Sequence, residues 1–191
     1  MLFSKNVQTK IARVFTAPSH PLPDHRTPFL YLLRRDLELL YGHENRNGSV
    51  KAPLLACLGI MVGFELLAKM WSGNYQAESK ELISFLENVT GLPSDKADAL
   101  AQFRHALAHG YRLSTRKKKG QEIYEFHIDD SDGATECVSE VTQKVFKVNV
   151  PLLKRTFINS INEYRKLLEA SFDLQKKFEV CTENIGEVQI T

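Results

Sequence analysis

Residues 49–73 read SVKAPLLACLGIMVGFELLAKMWSG, and from Pro53 to Ala68 a single charge, Glu65, interrupts the apolar run. Leu54, Leu55, Leu58, Met61, Val62, Leu66, Met70 and Trp71 fall at helical spacing. Ser49 is a plausible N-cap, and Ser72-Gly73 supplies a stop. The apolar positions cover most of the helix circumference, so this helix belongs at the centre of a bundle. Glu65 leaves the run short of the roughly 18 uninterrupted apolar residues of a membrane span, which predicts a core helix and no membrane partner.

Working outward, Phe29, Leu32, Leu33, Leu37, Leu40 and Tyr41 predict a helix over 29–41, ended by GHENRNG. Ser79 to Val89 predicts a shorter helix closed by Gly91. Pro93 to Tyr111 predicts another, with Ser94 and Asp95 as candidate caps. The period then shortens to two. Arg112–Thr115 and Ile123–Ile128 read as a β-hairpin around KKKGQ, with Tyr124, Phe126 and Ile128 on one face. TECVSEVTQKVFKVNV is ambiguous between strand and short helix, and strand is favoured for Val145–Val148. After Pro151 the pattern Leu152, Leu153, Phe157, Ile158, Ile161, Tyr164, Leu167, Leu168 and Phe172 predicts one long helix running towards Phe178. The expected architecture is mainly α: an antiparallel bundle of four or five helices with a β-hairpin or small antiparallel sheet inserted at about 112–149. Residues 1–28, with four prolines between 18 and 28, read as an arm; 29–181 as one domain; 182–191 as a tail.

The chain has 191 residues, 43% hydrophobic and 25% charged, a globular composition that excludes disordered and fibrous classes. A net charge of +2 means that any anion binding must come from local clustering. Cys57, Cys137 and Cys181 are widely spaced and form no CxxC pair, against a zinc ribbon or a disulfide framework. The first fifteen residues lack the continuous apolar core of a signal peptide, so the expected location is cytoplasmic. No P-loop, dinucleotide-binding glycine fingerprint, G-x-S-x-G elbow or EF-hand is present, and no cofactor is implied.

At about 100° per residue from Arg104, Leu100, Phe103, Leu107 and Tyr111 form the core arc of the 93–111 helix. Asp98, Gln102, His105 and His109 form a polar stripe some 100–160° away. Ala97, Ala101 and Ala108 occupy the arc between, where small side chains let a partner helix approach. Arg104 borders the core arc and needs a partner; Glu65, the lone carboxylate of the most apolar helix, is the simplest one. His105 and His109 have the i, i+4 spacing used by helical zinc sites, but the glutamate of H-E-x-x-H is missing and no third histidine or cysteine completes a tetrahedron, so no metal is assigned. Arg112, Arg116, Lys117, Lys118 and Lys119 follow directly, and with Lys144, Lys147, Lys154 and Arg155 they could track a phosphate backbone.

Arg104-His105-Ala106-Leu107-Ala108-His109, within FRHALAHGYR and a helical bundle, resembles the R-x4-6-H signature of the HEPN superfamily. The one departure is His105, where asparagine or aspartate is commoner. The resemblance implies a metal-independent endoribonuclease in which a ribose 2′-hydroxyl attacks the adjacent phosphate, at a site built across a homodimer. It makes His109 the proton-transfer residue, Arg104 the phosphate clamp and His105 an orienting or assisting group. It further implies a toxin or phage-defence component with an antitoxin or nucleotidyltransferase partner. The alternative is a HEPN-like module without catalysis that binds a nucleotide, RNA or a partner protein.

Overall fold

The computed structural model describes residues 52–76, 78–110, 113–116, 123–184 and 188–189. Before residue 52 it describes Val7, Lys10, Ile11, Val14, Phe15, Arg26, Thr27, Leu30, Leu32, Leu33, Arg35, Asp36 and Leu37. The protein is mostly helical with a small mixed sheet. In the described residues α1 spans Pro53–Ser72, α2 Ser79–Phe85, α3 Ser94–Gly110, α4 Val150–Ala170 and α5 Phe172–Asn184. The strands are β1 Arg26–Thr27, β2 Ser114–Arg116, β3 Ile123–Asp129, β4 Val138–Thr142, β5 Val145–Asn149 and β6 Val188–Gln189.

Helix α1 is central and packs against α2, α3, α4 and α5. It starts four residues beyond the anticipated cap, with Pro53 in its first turn and no side-chain cap at Ala52; Ser49 lies outside the described residues. It ends at Gly73, whose φ of 75° lets its N–H donate back to the Lys69 carbonyl at 2.9 Å. By length and composition α1 could cross a membrane, yet more than half of it is buried inside the bundle. Ala56, Cys57, Ile60, Met61, Phe64, Leu67 and Ala68 are fully buried. Phe64 meets Phe157 edge-on with ring centres 5.2 Å apart, and Tyr164 packs on Phe85 and Trp71, each at 6.0 Å.

The helix anticipated over 29–41 is helical at its described residues, Leu30, Leu32, Leu33 and Arg35, Asp36 and Leu37. Helix α2 opens with a capping box in which the Glu78 N–H donates to Glu81 Oε2 at 2.8 Å. It passes into a π-helical turn, Leu86–Thr90, that stops at Gly91 with φ 72°. In the segment before residue 29, Val7 and Ile11 are helical and buried in the core, and Arg26–Thr27 pairs antiparallel with Val188–Gln189.

The inserted sheet has the order β2-β3-β5-β4. Strands β2 and β3 form the anticipated antiparallel pair. The sheet as a whole is not antiparallel, because β5 lies between β3 and β4 and runs parallel to β3, with Phe126 beside Phe146. The tight β4–β5 turn, where Lys144 takes φ 59°, sends β5 back along β4 on the side facing β3. Tyr124, Phe126, Phe146, Val138 and Val148 face the helices, and Phe126 sits 5.1 Å from Phe103 of α3.

The long helix anticipated from 151 to 178 is two helices. At Ser171 the backbone is extended (φ −124°, ψ 114°). The Ser171 hydroxyl accepts from the Leu174 N–H at 3.3 Å and so caps α5, while Gln175 Nε2 donates to the Leu168 carbonyl at 2.8 Å at the end of α4. The joint is stabilised by side chains that a periodicity count passes over.

Asn149, 1% exposed, ties α4 to the sheet. Its Oδ1 accepts from the Leu152 N–H at 3.0 Å, and its Nδ2 donates to the Ser131 carbonyl at 2.8 Å and to Asp129 Oδ2 at 3.3 Å. Asn149→Ala removes a helix cap and leaves that carbonyl short of a donor, so it lowers stability by about 2 kcal/mol. Urea unfolding measures this, and a midpoint equal to that of the wild type would contradict the role given to Asn149.

Candidate functional site

Helix α3 carries the site, and each of its faces has a different environment. Leu100, Phe103 and Leu107 are fully buried, as their arc predicts. Ala97 and Ala101 are buried within the chain and only Ala108 of the alanine arc is exposed, so most of that arc is used inside the monomer.

The polar stripe is divided by the sheet. Asp98 accepts from the Tyr124 hydroxyl at 2.9 Å, and Gln102, 8% exposed, donates to Asp98 at 3.5 Å. Lys144 Nζ sits 5.0 Å above the Tyr124 ring and 3.4 Å from its hydroxyl. Beyond this covered half, His105 and His109 are exposed side by side, with ring centres 4.5 Å apart and planes at 52°. The His105 imidazole is held below its ordinary pKa, first by burial and then by the neighbouring His109 and Arg104 charges. It is therefore neutral at neutral pH.

Arg104 turns the other way, towards α1. Its Nε donates to Glu65 Oε2 at 2.7 Å, and its Nη2 closes on the same oxygen. Glu65 Oε1 also pairs with Lys69 at 3.2 Å, one turn along α1. The carboxylate thus bridges two cations and fixes the guanidinium against the core helix. A cavity of about 370 Å³ opens beside this pair, lined by Glu65, Glu78, Ser79, Lys80, Leu82 and Arg104. Neither histidine lines it. One chain therefore presents two adjoining surfaces: an anchored guanidinium at a cavity, and an imidazole pair on the next face of α3.

Glu65 and Arg104 are 18% and 28% exposed at their side chains, so their pairing is worth more than a surface ion pair and less than a fully buried one. Glu65→Ala lowers stability by about 1–2 kcal/mol, because Arg104 keeps its partly desolvated position without a partner. Thermal unfolding checks this; an unchanged melting temperature would mean that Arg104 swings free into solvent.

The basic residues are only partly placed. Arg112, Lys117, Lys118 and Lys119 lie outside the described residues, as do Tyr111 and the side chain of Arg116, whose backbone belongs to β2. Lys144 is engaged at Tyr124, and Lys147 lies 3.9 Å from Asp129. Tyr124 and Phe126, the aromatic residues that follow the basic segment, are core residues and do not present their rings for stacking on bases. Lys69, Lys80 and Ser79 were not anticipated beside Arg104; the i, i+4 spacing of Glu65 and Lys69 was the available signal. Among the described residues no three His, Cys, Asp or Glu side chains gather into a metal-binding group.

Comparison with family models, curated proteins and solved structures found no match.

Proposed function

We propose that this chain is a HEPN-like, metal-independent endoribonuclease acting on single-stranded RNA. The observation that carries the reading is the exposed His105–His109 pair on the same helix as an Arg104 held in place by Glu65. The neutral His105 imidazole takes the proton of a ribose 2′-hydroxyl, and the 2′-oxygen attacks the adjacent phosphorus. The bond to the 5′-oxygen breaks and that oxygen takes a proton from the second imidazole, leaving a 2′,3′-cyclic phosphate and a 5′-hydroxyl. Arg104 presents N–H groups to the phosphate oxygens as charge builds on them.

Because Arg104 and the histidines face different sides of α3, the reading requires a homodimer in which the guanidinium of one copy meets the imidazoles of the other. The HEPN resemblance also makes an antitoxin or nucleotidyltransferase the partner to seek, and a cytoplasmic toxin or phage-defence role the setting. The basic segment Arg112 to Lys119 supports RNA binding through its charge. The engagement of Arg104 with Glu65 favours a second reading, a HEPN-like module that binds a nucleotide, RNA or a partner protein without cleaving it.

One experiment separates the two. The purified chain is incubated with a mixed RNA pool in EDTA, and the products are analysed by mass spectrometry. Cyclic phosphate ends that are lost in His109→Ala and in Arg104→Ala support the nuclease. Intact RNA with the wild type and both variants rejects it and leaves the binding module.

A further inference from the structure

The two imidazoles that the nuclease reading uses for proton transfer are also placed as a chelate. His105 and His109 stand one helical turn apart, both are exposed, and their ring centres are 4.5 Å apart. A metal ion about 2.1 Å from one nitrogen of each ring places the ring centres roughly 4.5–5.2 Å apart, for bond angles between about 90° and 109°. The observed spacing is compatible with such a chelate, and imidazole ligands suit copper(II) and nickel(II), which stand at the upper end of the rising affinity order of the first-row divalent ions. The 52° between the ring planes is no obstacle, since the last torsion of a histidine side chain is soft. Solvent reaches both rings, so water can fill the remaining coordination positions.

We propose that His105 and His109 form a two-imidazole site for a first-row divalent transition metal, strongest for copper(II) and nickel(II), and that an ion held there blocks the proton transfers assigned to the same nitrogens. The site is inhibitory, not catalytic. With no third protein ligand among the described residues, the ion binds reversibly and EDTA strips it. The binding half of this inference rests on geometry alone; the inhibitory half rests on the nuclease reading. Each is read by its own measurement.

The test uses the untagged full chain and nickel(II) chloride, followed by calorimetry. The expected result is saturable binding at micromolar nickel with one ion per chain. His105→Gln and His109→Gln should each weaken it at least tenfold, since losing even an indirect partner of a metal ligand typically costs 10- to 100-fold. The double variant should not bind, while its circular dichroism stays that of the wild type. Equal binding by the double variant, or no saturable binding by the wild type, overturns the site. In parallel, nickel at saturating concentration should stop RNA cleavage, and excess EDTA should restore it. Full cleavage by nickel-loaded protein overturns the inhibitory half. A chain that binds nickel through these histidines but never cleaves RNA upholds the site and counts against the nuclease reading alone.

Discussion

His109→Ala lowers the rate of RNA cleavage on the order of 10²- to 10⁴-fold, the range typical of a positioned general acid or base. The expected loss is chemical and not structural. His109 is exposed near the end of α3, where substitutions away from caps and packed contacts usually shift stability by less than about 0.5 kcal/mol. His105→Ala should also slow cleavage, because proton removal and proton return need two groups; its neutral imidazole is ready to accept a proton at neutral pH. Arg104→Lys keeps the charge but loses the planar fork, so it too should slow the reaction while keeping partial pairing with Glu65. Single-turnover cleavage of a labelled oligonucleotide, with thermal melts of the same preparations, checks all three. A His109→Ala protein that melts normally and cleaves at the wild-type rate removes His109 from the chemistry.

Gly63→Ala lowers stability by about 2 kcal/mol, although alanine is the better helix former. A Cβ at residue 63 would lie 2.4 Å from the Phe157 ring and 2.8 Å from a Leu33 methyl, well inside contact distance. The ring cannot simply rotate away, because Phe157 is fully buried and packs edge-on against Phe64. Forcing extra volume into such a core costs about 1–3 kcal/mol, which outweighs the gain of up to about 1 kcal/mol in helix propensity. Gly59 is the matched control. There a Cβ would meet Leu33 and Leu37 side chains at 3.4 and 3.5 Å, ordinary contacts, so Gly59→Ala is neutral or slightly stabilising. Urea unfolding of the two variants should place Gly63→Ala below the wild type and Gly59→Ala at or above it. The reverse order would mean that α1 and α4 are not packed as closely as described.

The helices were legible because burial repeats at their own period. Residues 53–71 and 94–110 carry apolar patterns that no strand can use, and both are helices in the structure. The direction of β5 was not legible. A period of two says which face of a strand is buried and nothing about which neighbour it joins, so the β3–β5 parallel pairing depends on the route of the chain through the turn at Lys144. The break at Ser171 was hidden for a related reason: Leu168 and Phe172 keep the i, i+4 spacing across it, while the interruption is made by one serine cap. At the site, the pairing of Glu65 with Arg104 followed from the cost of leaving a charge unpaired beside a core. The loss of Asp98 and Gln102 to the sheet did not, because it requires knowing that Tyr124 lies above them.

The central claim is that an RNA strand is cut by its own 2′-hydroxyl at a site formed by Arg104 and His109. A short single-stranded RNA with one mapped cleavage position, prepared also with a 2′-deoxy sugar at that position, tests it directly in EDTA. The account predicts cleavage of the all-ribose strand to a cyclic phosphate and none at the deoxy position. Cleavage of the deoxy strand at the same position and rate would contradict it.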